Sequence, residues 1–191
     1  MTLETRQPIS AAGRTTLLDL ALQSVRHGLE QASPLKVSAG DYDYELRELR
    51  ASFVTLDRHG DLRGCIGHLE ASQPLVEDVV ENAYSAAFKD PRFPPLAEHE
   101  LEGLEIHISV LTPPEPLACV SEADLLARMR PFTDGLILAD GFRRGTFLPS
   151  VWEQLPEPAE FLRHLKRKAG LPDDFWSDNL KIYRYETESF P

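Results

Sequence analysis

The stretch ASFVTLDRHGDLRGCIGHLE, residues 51–70, contains two short apolar runs, ASFVTL and LRGCIGHL, on either side of the polar segment DRHGD. Gly60 and the polar residues beside it are typical of a tight turn between strands. The pattern predicts a β-hairpin whose second strand carries Cys65.

Helices are predicted before this hairpin and directly after it. From Thr15 to about Gln31, apolar residues recur at helical spacing, which predicts a core-facing amphipathic helix that ends before Pro34. Ser72 is expected to cap a second helix, whose first turn accepts Pro74 and whose broad apolar face continues to the proline-rich segment KDPRFPPL. The apolar stripe of the first helix is expected to consist of Leu17, Leu18, Ala21, Leu22, Val25 and Leu29.

The C-terminal half mixes strands and helices without a strict strand, helix, strand rhythm. Residues 104–111 alternate apolar and polar side chains, which predicts a half-buried strand. A short helix capped by Ser121, a second hairpin around Gly141, a helix between Pro158 and Gly170, and the closing strand LKIYRYET are expected to follow. These elements predict an α+β fold with a mainly antiparallel or mixed sheet packed with helices, and a doubly wound sheet is the weaker alternative.

The bulk composition limits the classes of protein. A chain of 191 residues fits a single domain over residues 1–191, with residues 1–13 expected to form a loosely ordered N-terminal segment. The formal charge of −11 repels polyanions, so neither nucleic acid nor a membrane surface is an expected partner. The basic run RHLKRK, residues 163–168, is expected on the exposed face and in the last turns of a helix. With no signal peptide, no long apolar run and two cysteines, the protein is expected to be cytoplasmic with reduced thiols.

Cys65 has three interpretations: a reactive thiol, half of a metal site, or a small residue packed under a sheet. If its strand is extended, Arg63 points to the same side as Cys65, whereas His68 points to the other side and can serve the thiol as a base only if Gly67 bends the chain. The C-x-x-H spacing of Cys65 and His68 has no second close pair of ligands elsewhere, so no metal is expected. For these ten residues alone packing is favoured, because cysteine is among the most buried residue types.

Two further segments carry groups suited to chemistry. The segment FKDPRF places Asp90 and Arg92 on a proline-braced loop, which can present charges to a cleft or simply cap backbone amides and form a surface ion pair. His107 lies on the polar side of its strand with Glu105 and Ser109, a pattern typical of the solvated face of a sheet. No glycine-rich phosphate loop, zinc-protease motif or serine-hydrolase motif occurs, so no cofactor is predicted.

Four segments of the chain resemble the AMMECR-type domain family: LRGCIGHLE, PLVEDVVENAYSAAFKDPRFPPL, LEIHISVLTPPEPL and RGTFLPSVWEQLPEPAEFLRHLKRKAGLPDDFW. The resemblance implies an α+β domain of two unequal lobes, with the LRGCIG hairpin and the DPRF loop beside the cleft between them. It also implies functional linkage to a Memo-like protein, which is similar to extradiol dioxygenases, and to a radical SAM protein. A hexapeptide that defines a family is more often a site than a random buried cysteine, so thiol chemistry and packing become evenly balanced for Cys65.

Two functions stay open at this point. In the first, the protein is a partner-binding component that works with the Memo-like and radical SAM proteins and presents Trp152 and Phe147 as aromatic anchors. In the second, it is an enzyme that acts on a small molecule or a partner protein through the cleft. Its candidate site residues are then Cys65 as the thiol nucleophile, Arg63 and Arg92 as anion clamps, and His68, His107 or Asp90 as the proton carrier.

Overall fold

The computed structural model describes residues 8–191, which form two compact units. The described residues up to Leu111 form the first unit together with Glu188–Pro191, and Thr112–Thr187 form the second. Each unit has its own hydrophobic cluster and its own four-stranded sheet. The predicted α+β fold with mainly antiparallel sheets is confirmed.

The predicted hairpins and helices are present within residues 8–191. The α-helices there are α1 Ala11–Gln31, α2 Tyr44–Arg47, α3 Leu75–Phe88, α4 Glu122–Arg128 and α5 Pro158–Lys168. The strands are β1 Ser52–Arg58, β2 Asp61–Gly67, β3 Leu104–Leu111, β4 Glu115–Pro116, β5 Gly135–Asp140, β6 Arg143–Phe147, β7 Lys181–Tyr185 and β8 Thr187–Phe190. Short 3-10 helices span Ala39–Asp41, Glu98–Glu100 and Pro149–Glu153. None of the helices in this part of the chain combines the length and the apolarity needed to cross a membrane.

The sheet of the first unit has the order β2-β1-β3-β8, and β1 pairs antiparallel with both β2 and β3. Helices α1 and α3 cover one side of it, where Val54 and Leu56 of β1 are fully buried. Because side chains alternate along a strand, the residues between them lie on the other side of the sheet. This outer face carries Phe53, Thr55 and Asp57 of β1, Cys65 and Gly67 of β2, and His107 and Ser109 of β3.

Small residues decide how α1 packs. The predicted stripe is correct for Leu17, Ala21 and Val25, which are fully buried, but its centre also includes Gly28. A Cβ atom at Gly28 would lie 2.3 Å from the Phe88 ring of α3, so the two helices approach closely at this point. The predicted positions at the edge of the stripe are only half-buried, because the buried face extends instead through Leu20, Ser24 and Gly28. These half-buried positions are Leu18, Leu22 and Leu29.

The N-terminal segment differs from its prediction. Residues 1–7 lie outside the described residues, but residues 8–13 are not loosely held. Ser10 Oγ accepts a hydrogen bond from the Gly13 N–H at 3.0 Å and caps α1. Ile9 is 3% exposed, and its N–H donates to the Glu188 carboxylate at 3.0 Å. The prediction of loose order is therefore wrong for residues 8–13, because a distant carboxylate and the core hold them.

The start of α3 also differs. The helix begins at Leu75, and Pro74 occupies its N-cap position, so Ser72 does not cap it. Pro74 forms an isolated β-bridge with Leu49, and the Leu75 N–H donates to the Glu48 carbonyl at 2.9 Å. The Glu48 carbonyl thus accepts a hydrogen bond from the first turn of α3, where the sequence predicted capping by Ser72.

The second unit has the sheet order β4-β7-β5-β6, and its core centres on Trp152. The 3-10 helix Pro149–Glu153 turns Trp152 inward, where it is 0% exposed and stacks on Phe161 with ring centroids 3.8 Å apart. Its Nε1 donates to the Asp134 carbonyl at 2.8 Å. Phe147 is half-buried and packs edge-on against Phe161. The expectation that these two aromatic residues are exposed anchors is therefore wrong.

The basic run RHLKRK is not a uniformly exposed face. Lys166 is 0% exposed, and its Nζ donates to Glu122 Oε2 at 2.6 Å and to the Asp173 carbonyl at 2.9 Å. Arg163 forms an ion pair with Glu160, and Arg167 forms one with Asp173. Each of these three cations lies against a carboxylate, and the pair of the buried Lys166 with Glu122 joins α5 to α4.

Candidate functional site

The segment DPRF, residues 90–93, caps the outer edge of β2 at Cys65. The Cys65 N–H donates to Asp90 Oδ2 at 2.9 Å, and Arg92 Nη2 donates to the Cys65 carbonyl at 3.4 Å. Arg92 also donates two hydrogen bonds to Asp90, from Nε to Oδ1 at 3.0 Å and from Nη2 to Oδ2 at 2.7 Å. Because β2 is an edge strand, its outward backbone groups need partners from outside the sheet. Three of the six candidate residues, Cys65, Asp90 and Arg92, therefore lie in direct contact.

The charges of this cap are fixed. Hydrogen bonding to Arg92, helped by the Cys65 N–H, holds the pKa of Asp90 well below its usual range, and the same carboxylate raises the pKa of Arg92. The Asp90 side chain is 2% exposed, whereas that of Arg92 is 54% exposed. Asp90 therefore stays ionised near neutral pH and positions the loop, and Arg92 is the member of the pair that can meet a ligand.

Arg63 fastens the same loop from another direction. Its Nε and Nη2 donate to the Glu100 carboxylate at 2.7 and 3.0 Å, and Nη2 also donates to the Pro94 carbonyl at 2.9 Å. The Phe93 ring has the Arg63 guanidinium 5.8 Å and the Arg92 guanidinium 5.5 Å from its centroid. The hydrogen bond between Arg63 and Glu100 raises the pKa of Arg63 and lowers the pKa of Glu100 to about 2. Arg63 is 9% exposed, so it is committed to this loop and not open to an anionic ligand.

A bulge explains why Arg63 departs from the predicted alternation. Leu56 pairs with Gly64, but the next residue, Asp57, pairs with Leu62. Arg63 is the extra residue of β2 and falls outside the simple two-residue period on which its predicted position beside Cys65 depended. The bulge adjoins Gly64, and a glycine inside a strand is a residue that often marks a bulge.

Three other positions of LRGCIG serve packing. A Cβ atom at Gly64 would lie 2.1 Å from the Ala86 carbonyl oxygen, so β2 and α3 are in close contact there. A Cβ atom at Gly67 would lie 2.3 Å from Cγ of Phe53. Ile66 packs against the core of the first unit. The two glycines are therefore explained by close approach of the neighbouring backbone and ring.

The Cys65 side chain lies on the outer face beside Thr55. The two residues are directly opposite each other on β1 and β2, and Thr55 Oγ1 donates to Cys65 Sγ at 3.3 Å. Cys65 is half-buried and forms no disulfide with the other described cysteine, Cys119. A hydroxyl that donates to sulfur favours the thiolate over the neutral thiol. The sulfur is thus part of a polar sheet face and is not enclosed in the aliphatic core.

His107 lies on the same face, one strand further along. Thr55 pairs with Cys65 on one side and with His107 on the other. The His107 Nε2 is 3.4 Å from Asp57 Oδ2, and its side chain is 41% exposed. Two strand spacings separate the backbones of Cys65 and His107 by roughly 10 Å. His107 is therefore placed to contact a ligand that lies over Thr55, and it is not a direct partner of the thiol.

His68 lies on the side of the sheet that faces α3, as strand alternation predicts. Its Nδ1 is 2.7 Å from Asp78 Oδ1, and Asp78 is 1% exposed. Asp78 also accepts hydrogen bonds from the Ser52 N–H and hydroxyl and from the side-chain amides of Gln73 and Asn82. His68 is thus part of a structural polar cluster between the hairpin and α3, and it is not placed to act as a base for the thiol.

The pair considered for a metal is split by the sheet. Cys65 and His68 lie on opposite faces, and within residues 8–191 no group of three or more His, Cys, Asp or Glu side chains is placed to hold a metal ion. Cys119 belongs to the second unit, where burial raises the pKa of its thiol.

Sequence reasoning missed three residues that shape this region: Thr55, Glu100 and Asp78. Thr55 carries a partial signal, because the hairpin pattern alone places it on the polar side of β1. Glu100 and Asp78 carry none, since their partners Arg63 and His68 lie 37 and 10 residues away and only the folded chain brings each pair together. All three are ordinary polar residues until the pairing of the strands and helices is known.

Fold and site together define a class of protein. It is an α+β protein of two antiparallel sheets, in which a Gly-Cys-Ile-Gly edge strand is capped by an Asp-Pro-Arg-Phe loop. The chain belongs to the AMMECR1 family, whose sequence pattern matches residues 18–190.

Relatives resemble this chain over most of its length. A protein of Methanothermobacter thermautotrophicus is 40% identical over 185 residues, which are 96% of either chain. Protein MJ0810 of Methanocaldococcus jannaschii is 42% identical over 159 residues, which are 81% of this chain and 79% of the relative. The crystal structure of the uncharacterized protein PH0010 from Pyrococcus horikoshii has a TM-score of 0.84 and 35% identity, covering 91% of this chain and 88% of that one. The fold is thus shared with a solved structure.

Proposed function

We propose that this protein is the thiol-bearing component of the AmmeMemoRadiSam system, its protein A, and that it acts on a small molecule or a partner protein through Cys65. It would work together with the Memo-like protein and the radical SAM protein. The observation that carries this proposal is the position of the sulfur, half-buried on a polar sheet face with the Thr55 hydroxyl donating to it.

The structural roles of the other residues of the LRGCIG hexapeptide support this assignment. Ion pairing accounts for Arg63, close backbone approach for Gly64 and Gly67, and core packing for Ile66. A cysteine whose only role was packing would be expected in the core, among aliphatic side chains. Cys65 instead presents its sulfur on the side of the strand that the core does not use.

The neighbouring groups suggest roles in a thiol reaction. Thr55 would stabilise the thiolate of Cys65, and the exposed guanidinium of Arg92 would attract an anionic part of the substrate. His107 would carry a proton to or from a substrate lying over Thr55. Asp90 would hold the backbone of Cys65 in place, because its ionised state leaves it no proton to give.

The test is the rate of alkylation of Cys65 by iodoacetamide between pH 5 and 10, read by mass spectrometry, with Cys119 in the same chain as reference. We expect Cys65 to react at lower pH than Cys119, whose thiol pKa is raised by burial. Replacing Thr55 with valine should move the reaction of Cys65 to higher pH, because the hydrogen bond that favours the thiolate is removed. Replacing Thr55 with serine keeps the hydroxyl and should leave the profile unchanged. A Cys65 that reacts no faster than Cys119 at any pH would contradict the proposal.

A second candidate function is partner binding without chemistry, and one exposed aromatic residue favours it. Phe142 is 94% exposed at the turn between β5 and β6, with the Arg143 guanidinium 5.9 Å from its ring centroid. Exposed aromatic and arginine side chains are typical anchors of protein interfaces. This pair would replace the buried Trp152 and the half-buried Phe147 as the docking element for the Memo-like or radical SAM partner.

Two variants distinguish the candidates in a calorimetric titration with each partner protein. Phe142→Ser should weaken binding at least tenfold if this turn is an anchor, and Val120→Ser is the matched control, because Val120 is 89% exposed elsewhere in the same unit. Cys65→Ser should leave binding unchanged under both proposals but abolish thiol chemistry under the first. Unchanged binding by Phe142→Ser would remove the second candidate.

A further inference from the structure

An aromatic residue, Phe53, is a diagonal neighbour of Cys65 on the outer face. Phe53 is opposite Gly67 in the pairing of β1 with β2, one outer-face position away from the opposed pair Thr55 and Cys65. A Cβ atom at Gly67 would lie 2.3 Å from Phe53 Cγ and 2.5 Å from Cδ1. The ring therefore rests directly against the backbone of β2, in space that any side chain at position 67 would fill.

Core packing does not account for this ring. Phe53 is half-buried and belongs to neither of the two hydrophobic clusters formed by residues 8–191. Its other neighbour in register is Ser109 of β3, whose hydroxyl is 2.9 Å from the Ser189 hydroxyl. The ring lies on the side of the sheet away from the helices, and aromatic rings stack favourably on one another.

We propose that Phe53 is the stacking surface of the Cys65 site, so that the molecules reaching this thiol carry a flat aromatic group. The inference rests on the proposed function, because it takes Cys65 as the reacting group. Because Gly67 has no side chain, the Phe53 ring lies close to the sheet. The aromatic ring of the ligand then stacks on Phe53, with the reactive atom of the ligand directed toward Cys65 Sγ. Stacking of two rings strengthens binding by roughly two- to tenfold, so the preference is moderate and measurable.

The test compares two maleimides that share a reactive group, N-ethylmaleimide and N-phenylmaleimide. In both reactions the thiolate sulfur forms a bond to one alkene carbon, the C=C π bond breaks, and the other carbon takes a proton from water, so no leaving group is needed. The measured quantity is the ratio of the phenyl rate to the ethyl rate at Cys65, divided by the same ratio for glutathione in the same solution. That division removes the intrinsic difference between the two reagents.

We expect this normalised ratio to be roughly three to ten at Cys65 of the wild-type protein and close to one at Cys119. Phe53→Leu should bring the Cys65 value down to about one, and Phe53→Tyr, which keeps a ring, should restore it. Ser109→Ala is the matched control on the same face, because it leaves the ring in place.

The outcomes separate the two proposals. A ratio near one in the wild-type protein, with Cys65 reacting readily with both reagents, would overturn the stacking inference and leave the proposed thiol function intact. Failure of Cys65 to react with either reagent would overturn both. If Phe53→Leu does not fold, the wild-type ratio and its retention in Phe53→Tyr still decide the question.

Discussion

Replacing Glu100 with glutamine should loosen the Cys65 site without changing any residue on the outer face. Glu100 accepts hydrogen bonds from Arg63 Nε at 2.7 Å, from Arg63 Nη2 at 3.0 Å and from the Ala97 N–H at 2.9 Å. Arg63 in turn holds the Pro94 carbonyl, in the segment that follows Asp90 and Arg92. The ion pair thus connects the bulge of β2 to the loop that caps it.

The size of the effect follows from burial. The Arg63 and Glu100 side chains are 11% and 16% exposed, so water replaces the lost contacts only in part. Arg63 Nη1 is buried without a hydrogen-bond partner among the described residues, and glutamine would remove the carboxylate charge that pairs with this guanidinium. Hydrogen bonds to charged groups contribute about 1.5–3 kcal/mol, and a glutamine oxygen retains one acceptor. We expect a loss of about 2 kcal/mol at pH 7.

The loss should depend on pH in a defined direction. The hydrogen bond from Arg63 lowers the pKa of Glu100 from its ordinary value of 4.5 to about 2, so the folded state binds fewer protons than the unfolded state between these values. The stabilisation by Glu100 is therefore fully present above about pH 4.5 and disappears as the pH falls toward 2. The difference between wild-type protein and Glu100→Gln should narrow across this window.

The measurement needs a probe in the first unit. Both tryptophans, Trp152 and Trp176, belong to the second unit. Hydrogen exchange of peptides covering β2, read by mass spectrometry, reports directly on the first unit. A loss of about 2 kcal/mol corresponds to roughly 30-fold faster exchange where opening of this region limits the rate.

Glu98→Gln is the matched control, because Glu98 is an exposed carboxylate of the same 3-10 helix and should change exchange by less than twofold. The reasoning is refuted if Glu100→Gln changes exchange in β2 no more than this control. It is also refuted if the effect of Glu100→Gln is the same at pH 3 as at pH 7.

Three further substitutions test the structure inside each unit, two of them in the first unit and one in the second. Gly64→Ala should cost about 2–4 kcal/mol in urea denaturation, because its Cβ would lie 2.1 Å from the Ala86 carbonyl oxygen, whereas Gly40→Ala, with its nearest atom at 3.8 Å, should be close to neutral. Asp78→Asn should cost about 3 kcal/mol, since an amide donor would face buried donors, and full stability of this variant would disprove the role of the carboxylate. Phe132 is 62% exposed and its backbone has a φ of 63°, a left-handed conformation that asparagine adopts more readily than phenylalanine. Phe132→Asn should therefore stabilise the protein by about 0.5–1 kcal/mol and raise the thermal midpoint. A lower midpoint would contradict the inference that the backbone is strained at this residue.

Local patterns were sufficient for most of the fold. The alternation of residues 104–111 coincides with β3, and Pro158 and Gly170 mark the first residue of α5 and the left-handed residue after its end, at a φ of 76°. These predictions depend on periods of two and 3.6 residues and on backbone preferences, all of which act between near neighbours. They could therefore be made without knowing which elements pack together.

The site was less accessible to such reasoning. Alternation correctly separated Cys65 from His68, but the bulge that displaces Arg63 depends on the pairing of both strands. Trp152 was expected to be an exposed anchor because it lies in an apolar, proline-braced segment. A single 3-10 turn buries it, and that outcome depends on the stacking partner Phe161, which lies in a different helix. Contacts between distant segments were thus the part that sequence patterns could not supply.

The way the DPRF loop holds Cys65 makes the thiol separable from its scaffold. Asp90 and Arg92 bind the amide and the carbonyl of Cys65, and neither of these bonds uses the sulfur. Removing the sulfur therefore leaves the edge of β2 capped, whereas removing the Asp90 carboxylate uncaps the strand and releases Arg92. Loss of activity in a Cys65 variant would consequently report on chemistry, and loss in an Asp90 variant would report on chemistry and structure together. The arrangement of a rigid main chain and an outward side chain is what a site on a sheet edge requires, because the reactive atom is positioned by bonds that the reaction does not disturb.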